Sequence, residues 1–149
     1  MRLILQRVSR AAVRVDGATV GAIGRGLLVL VGVARGDGPE QAERAAEKLV
    51  GLRLFEDGSG RMNLDAGAVG GAFLVVSQFT LAGSLARGRR PSFDGAAAPE
   101  EAEPLVEALC TALRERGAAV ATGRFRARME VELVNDGPVT FVLDVPPAG

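Results

Sequence analysis

The chain has 149 residues, 48% of them hydrophobic and 24% charged, a balance typical of a folded globular protein and not of a disordered one. Its 18 basic and 18 acidic residues cancel, which argues against a protein that coats long nucleic acids but allows local binding of one RNA end. There is no histidine and one cysteine, Cys110. Histidine-based triads, cysteine–histidine pairs and histidine metal sites are therefore excluded.

The same composition bears on size and location. We expect residues 1–149 to form one domain with its own core. No apolar stretch approaches the roughly 20 residues of a membrane-spanning helix, and Arg2 and Arg7 introduce charge too early for a signal peptide. A single cysteine permits no internal disulfide. We therefore expect a cytoplasmic protein, with Cys110 in the core because it lies in an apolar helical pattern.

Strand patterns fill the first part of the chain. Residues 3–15 alternate imperfectly between apolar and polar side chains, with an interruption expected near Ser9 and Arg10. Asp16-Gly17 predicts a hairpin turn into a second strand at residues 18–23. The apolar run at residues 26–33 predicts a strand that is buried on both faces.

Two helices are predicted among the remaining strands. The first begins at Pro39 and continues through about Val50 to a stop at Gly51. The second covers residues 99–116, and Pro104 is expected to bend it or to delay its start. The other predicted segments are strands at residues 52–55, 71–80, 118–122, 129–134 and 139–145, a turn at 56–61 and a loose tail at 146–149. This order predicts an α+β domain with a mostly antiparallel sheet or barrel and two inserted helices.

Two short motifs carry most of the functional information. The apolar run at residues 73–76 is followed by Ser77-Gln78-Phe79-Thr80, and the second motif, Asn135 to Thr140, contains Gly137-Pro138. Taken alone, the first would satisfy backbone groups at a strand end, and the second would be a β-turn or the end of an edge strand. Together, at this separation, they resemble the paired signatures of the D-aminoacyl-tRNA deacylases.

The resemblance covers nearly the whole chain and implies a barrel-like fold that works as a homodimer. It implies hydrolysis of the ester between a D-amino acid, or glycine, and the terminal ribose of tRNA. Gly137 and Pro138, joined by a cis bond, would enter the partner subunit's pocket and collide with an L side chain, while a D side chain points away. Arg7 matches a family position that holds this element in place, as the guanidinium fork can do.

The missing histidine limits the chemistry. No neighbouring carboxylate is evident in either motif, so Thr80 has no base to make it a nucleophile. We expect Ser77, Gln78 and Thr80 to organise the site, while backbone N–H groups at Phe79 and Thr80 polarise the ester carbonyl. The resemblance implies that the free ribose hydroxyl beside the ester activates the attacking water. No metal or cofactor is expected.

Further positions are assigned by the resemblance. Arg89 and Arg90, with Arg87, are candidates for phosphates near the tRNA end. Ala102 would leave room in the pocket, and Phe125 and Met129 would enclose the terminal adenine. Arg126 and Arg128 depart from the pattern, because family members commonly have a small residue and an acidic or polar residue there.

Two other functions remain open at this point. One is a dimeric module without enzymatic activity that grips RNA 3′ ends, and the other is a small-molecule esterase of similar fold. A deacylation assay with D-, L- and glycyl-tRNA separates them from the deacylase. Binding without turnover indicates the module, and turnover of simple esters without the neighbouring hydroxyl indicates the esterase.

Overall fold

A computed structural model describes residues 1–147 of the chain. The elements in this part of the chain are β1 (Arg2–Val15), β2 (Ala18–Ile23), β3 (Gly26–Gly32), α1 (Pro39–Gly51), β4 (Phe55–Glu56), β5 (Met62–Leu64), a 3₁₀ turn (Gly67–Val69), β6 (Ala72–Ser77), a second 3₁₀ turn (Phe79–Ala82), α2 (Pro99–Glu115), β7 (Ala119–Thr122) and β8 (Glu130–Asp144). Neither of these α-helices is long and apolar enough to cross a membrane. Part of the predicted loose tail, residues 148–149, lies outside the described residues.

Strand β1 organises the sheet. One of its edges pairs with β8 along most of its length, and the other edge is shared by β3 at residues 2–8 and β2 at residues 11–15, all antiparallel. The change of partner falls at Ser9 and Arg10, where the sequence predicted an interruption. The strand itself is continuous. The hairpin turn is as predicted, since Asp16 and Gly17 both have positive φ, 51° and 80°, as a tight β-hairpin requires.

The sheet continues from β3 through β6 to β7 with parallel pairing, and β2 closes back towards β7. A Cβ added at Gly21 would lie only 2.1 Å from the carbonyl oxygen of Thr122, so the two strands meet where only glycine fits. The sheet is therefore barrel-like. The predicted α+β class is confirmed, with three antiparallel and two parallel pairings in the main sheet.

Two apolar clusters lie on opposite faces of the central strands. Side chains alternate along β3 and β6, so Val29 and Phe73 face the helices while Leu28 and Leu74 face the second cluster. Both strands are buried on both faces, as the apolar run at residues 26–33 predicted for β3. Cys110 is buried in the helix-side cluster, and its burial raises the pKa of the thiol.

Three local predictions need correction. The strand predicted for residues 71–80 ends at Ser77, so Thr80 lies on a 3₁₀ turn. The strand predicted at residues 52–55 is reduced to β4, a two-residue strand that pairs only with β5. Helix α2 begins at Pro99 and contains Pro104, so its start is not delayed.

The two strands predicted around Gly137-Pro138 form one strand, β8. Its pairing with β1 jumps from Gln6–Thr140 to Val8–Asn135. Residues 136–139 therefore bulge out opposite a single β1 residue, Arg7. This bulge keeps the strand continuous while it displaces the Gly-Pro segment from the sheet.

Candidate active site

A cavity of about 640 Å³ opens where β3 and β6 end. Its walls come from the ends of those strands, the second 3₁₀ turn, the first turns of α2 and the segment before β8. The lining residues are Val31, Val33, Val76, Ser77, Gln78, Phe79, Phe93, Ala96, Ala97, Pro99, Ala102, Val106, Phe125, Arg126, Ala127, Met129 and Val131. This mostly apolar lining with a few polar groups suits a small organic ligand.

The first motif reaches the cavity because β6 ends against β3. The backbone N–H of Gln78 donates to the carbonyl of Val31 at 2.7 Å, which continues the parallel pairing by one step. The chain then turns, and the N–H of Leu81 donates back to the carbonyl of Gln78 at 3.1 Å. Within residues 1–147, no turn or loop hydrogen bond uses the N–H of Phe79 or Thr80. Both amides sit at the start of a 3₁₀ turn, where N–H groups lack internal acceptors.

The four residues of this motif differ in their relation to the cavity. Ser77, Gln78 and Phe79 line it, whereas Thr80 is exposed and does not. The Gln78 side-chain amide donates to the Thr80 hydroxyl, so Thr80 orients a residue that does line the cavity. Phe79 is 60% exposed, and its ring centroid lies 5.1 Å from that of Phe93.

The other wall contains Phe125 and Met129, which are expected to enclose the adenine, and Ala102, which is expected to leave room in the pocket. Ala102 is buried on α2 and lines the cavity together with Phe125 and Met129. A Cβ at Gly123 would lie 2.7 Å from the Met129 sulfur, so that glycine makes room for the methionine. The structure therefore places these three side chains in the same cavity as Ser77 to Phe79.

Arg89 and Arg90 do not line the cavity. They are exposed on a loop that is closed by backbone hydrogen bonds between Ser84 and Ser92, at 2.7 and 2.9 Å. The loop leads into Phe93, which does line the cavity. The contact of these arginines with phosphate remains a prediction.

Arg7 lies beneath the β8 bulge and holds its backbone. The side chain is only 6% exposed, and its Nε donates to the carbonyl of Asp136 at 3.0 Å while Nη1 donates to the carbonyl of Leu54 at 2.9 Å. The side-chain oxygen of Asn135 also accepts from the N–H of Val139 at 3.1 Å. The guanidinium therefore holds the carbonyl of Asp136, which directly precedes Gly137, and the role of Arg7 in selecting D-amino acids stays a prediction.

Gly137 and Pro138 are joined by a cis peptide bond, as the resemblance implies. Gly137 has φ of 131°, and a Cβ there would lie 2.9 Å from Nη2 of Arg7. Neither residue lines the cavity of its own chain. Their predicted role in a partner subunit's pocket stays a prediction.

Several lining residues were not predicted from the sequence. Val106 follows Ala102 by four positions, so it lies on the same face of α2 and a helical count would have found it. Val33 and Pro99 gave no signal, because an apolar residue that lines a pocket looks like one in the core. The carbonyl of Leu54, which accepts from Arg7, is a backbone group and has no residue-type signature.

Comparison with known proteins decides the family. The family model described as D-Tyr-tRNA(Tyr) deacylase matches residues 4–144. The chain belongs to this deacylase family. A D-aminoacyl-tRNA deacylase of Anaeromyxobacter dehalogenans is 63% identical to this chain, and the match covers 97% of each of the two chains. One of Geobacter sulfurreducens is 58% identical over 97% of this chain and 95% of its own. These matches confirm the predicted family and enzyme class, an ester-bond hydrolase.

Solved structures agree with the fold of this deacylase family member. A c-Myc DNA unwinding element binding protein is 38% identical, with a TM-score of 0.92 over 98% of this chain and 99% of its own. A probable eukaryotic D-amino acid tRNA deacylase is 20% identical, with a TM-score of 0.81 over 97% of this chain and 98% of its own. At 20% identity, the second comparison supports the fold alone.

Proposed function

We propose that the protein hydrolyses the ester between a D-amino acid and the terminal ribose of tRNA, and also accepts glycyl-tRNA. It acts in the cytoplasm as a proofreading enzyme, as a homodimer of single-domain subunits that needs no metal or cofactor. The observation that carries this proposal is the cavity that joins Ser77, Gln78 and Phe79 to Phe125 and Met129. The same cavity therefore offers polar groups that can bind the ester and an apolar surface that can bind the adenine ring.

The substrate is the acceptor end of tRNA. Its terminal adenine packs against Phe125 and Met129, which offer a ring face and a polarisable sulfur. Ala102 keeps this part of the cavity open because its side chain is a single methyl group. The ester then lies near the start of the second 3₁₀ turn, where Phe79 and Thr80 have N–H groups available.

The chemistry is polarisation followed by attack of water. The two backbone N–H groups stabilise the negative charge that develops on the carbonyl oxygen, and each such donor contributes about 2.7–4 kcal/mol to lowering the barrier. Water adds to the carbonyl carbon, the carbon–oxygen ester bond breaks, and the ribose oxygen leaves with a proton. No Asp or Glu is among the described lining residues. The free ribose hydroxyl beside the ester is therefore the group that accepts and passes on the proton.

Selection of D-amino acids comes from the partner subunit. Gly137 and Pro138 present backbone carbonyls to the α-carbon, so an L side chain collides with them and a D side chain points away. Glycyl-tRNA is accepted as well, because glycine has no side chain that could collide with these carbonyls. Arg7 supports this arrangement because it fixes the bulge through the carbonyl of Asp136.

The surface of β8 supports the homodimer. Among the described residues β8 pairs only with β1, which leaves its outer edge open. Val134, Phe141 and Val142 on this strand are 40%, 45% and 61% exposed. Three exposed apolar side chains on a strand with a free edge beside Gly137-Pro138 favour association with a second copy.

The deciding experiment is deacylation of D-, L- and glycyl-tRNA. We expect cleavage of the D and glycyl substrates and sparing of the L substrate. Replacing the ribose hydroxyl next to the ester by hydrogen should lower kcat far more than it weakens binding. An unchanged kcat on the deoxy substrate would show that a protein group activates the water.

The same assay tests the alternative of a non-enzymatic dimeric module for RNA 3′ ends. One solved relative, 38% identical, is named for DNA binding and not for deacylation, which favours including this alternative. Tight binding of all three aminoacyl-tRNAs without turnover would support the module. Turnover of simple esters that lack the neighbouring hydroxyl would instead support a small-molecule esterase.

A further inference from the structure

Arg126 is the one charged side chain among the described residues that line the cavity. It stands between Phe125 and Ala127, which also line the cavity. Its φ is 65°, a backbone conformation that non-glycine residues adopt rarely and mostly at special sites. The sequence thus places a cation next to the wall expected to hold the adenine.

The partner of Arg126 lies on the facing element. Its Nη2 donates to Oε1 of Glu100 at 3.2 Å, and Glu100 is in the first turn of α2, beside the lining residue Pro99. The side chains of Arg126 and Glu100 are 61% and 72% exposed. Such an exposed ion pair contributes little to stability, so exchanging the carboxylate for another anion costs little.

We propose that Arg126 binds the phosphate on the 5′ side of the terminal adenosine of the substrate, and that Glu100 is the counter-ion it leaves when this phosphate arrives. The inference rests on the proposed function, because it takes the adenine to lie against Phe125. The 5′-phosphate is carried by the same nucleoside, and Arg126 is the next residue along the chain. A guanidinium matches phosphate oxygens with two parallel hydrogen bonds, which the single contact to Glu100 does not use.

If the ion pair between Arg126 and Glu100 is only a structural brace that stabilises the cavity wall, the expected effects of substitution are different. For a brace, losing either partner loosens the same wall, so Arg126→Gln and Glu100→Gln change binding in the same direction for every ligand. For a phosphate site with a competing carboxylate, the two substitutions act in opposite directions. They do so only when the ligand carries the phosphate.

The test uses a pair of stable ligands, the amide analogue of D-alanyl-adenosine and its 5′-phosphate, in calorimetry with the full chain. Arg126→Gln should weaken binding of the phosphorylated analogue about tenfold, the loss expected for a hydrogen bond to a charged group. The same variant should bind the unphosphorylated analogue as the parent does. Glu100→Gln should tighten only the phosphorylated analogue, and Arg126→Lys should recover part of the loss.

Arg124→Gln is the matched control, since Arg124 is exposed on the same segment and does not line the cavity. It should leave both affinities unchanged. Equal losses on both analogues for Arg126→Gln, or weakening by Glu100→Gln, would overturn the proposal in favour of a brace. Adenosine 5′-monophosphate that binds as tightly as the aminoacylated analogue would assign the site to a free nucleotide and would also overturn it.

The proposed function is tested separately by hydrolysis of the unphosphorylated D-alanyl ester. If the parent protein fails to cleave this ester or D-aminoacyl-tRNA, the deacylase proposal is wrong, whatever Arg126 binds. If it cleaves both while Arg126→Gln leaves both affinities unchanged, only the phosphate assignment is wrong.

Discussion

Thr80 is the residue of the Ser77 to Thr80 motif that lies outside the cavity lining. It is exposed, it lies outside the cavity lining, and its oxygen accepts a hydrogen bond from the Gln78 side chain. We therefore predict that Thr80→Ala lowers kcat by about two- to tenfold, the loss equivalent to one neutral hydrogen bond. Thr80→Ser keeps the hydroxyl and should retain nearly full activity.

Single-turnover kinetics and mass spectrometry check this prediction. A loss of several orders of magnitude, or an acyl group trapped on Thr80, would make the hydroxyl a nucleophile. Either result would also require a base, and the described residues that line the cavity include no Asp or Glu.

A second residue-scale prediction concerns metal ions. Among the described residues, no group of three or more Cys, Asp or Glu side chains is arranged to hold a metal ion. We predict that deacylation survives exhaustive treatment with EDTA, followed by gel filtration into chelator-free buffer. Activity that disappears with EDTA and returns with added zinc would contradict this prediction.

At the scale of elements, charged side chains join β1 to β8. Glu132 accepts hydrogen bonds from Arg10 at 2.8 Å and from Arg14, and these bonds lower the pKa of its carboxyl below 4.5. A carboxyl group whose pKa is lower in the folded state than in the unfolded state stabilises the fold at pH values above its unfolded-state pKa. This stabilisation is lost as the pH falls through the folded-state pKa.

We therefore predict that Glu132→Gln lowers the free energy of unfolding at neutral pH, and that the difference disappears in acid. Urea unfolding at neutral pH and at several pH values below 4.5 measures this difference in the free energy of unfolding. Glu130→Gln, on the same exposed face of β8, is the matched control because no ion pair involves Glu130 among residues 1–147. A difference that persists undiminished in acid would attribute the effect to packing and not to the charge.

Local patterns predicted the elements better than their partners. The turn at Asp16-Gly17 and the start of α1 at Pro39 follow from backbone preferences of a few residues, and both are observed. The parallel pairing of β3 with β6 depends on segments more than forty residues apart, and no local signal marks it. The bulge at residues 136–139 likewise depends on a distant arginine, Arg7, that takes up the displaced carbonyl.

Part of the cavity lining was predictable for a related reason. Ser77 to Phe79, Phe125 and Met129 lie in short motifs that resemble a family, and they do line one cavity. Thr80 stands in the same motif and does not, because the chain turns after Ser77. Its place depends on how the 3₁₀ turn packs, which residue types alone do not specify.

At the scale of the whole molecule, the Gly-Pro bulge and the cavity of one chain are separate features. Gly137 and Pro138 do not line the cavity, yet Arg7 fixes their position at the surface beside the open edge of β8. A segment that Arg7 holds in place at the surface, outside the cavity of its own chain, is suited to the cavity of a second copy. Subunit mixing can test this arrangement.

The subunit-mixing test needs two substitutions, one in the Gly-Pro bulge and one in the cavity. Gly137→Ala should distort the bulge, because at φ of 131° its new Cβ would lie 2.7 Å from Cγ2 of Val139 and 2.9 Å from Nη2 of Arg7. Ala102→Phe should block the cavity with a ring. Gly24→Ala is the matched control for the glycine change, since nothing lies within 4 Å of a Cβ at Gly24.

We predict opposite results for two heterodimers that carry the same two lesions. With Gly137→Ala and Ala102→Phe on different subunits, the subunit with the open cavity receives an intact Gly-Pro element, and about half of the D-aminoacyl-tRNA deacylase activity should remain. With both on one subunit, the open cavity receives the damaged element, so D-aminoacyl cleavage should fall and rejection of L-aminoacyl-tRNA should weaken. Purified tandem-tagged heterodimers with matched Tm values allow the comparison. If only the heterodimer with both substitutions on one subunit stays active, Gly137 acts on the cavity of its own chain. If the two heterodimers are equally active, Gly137-Pro138 has only a structural role as a turn.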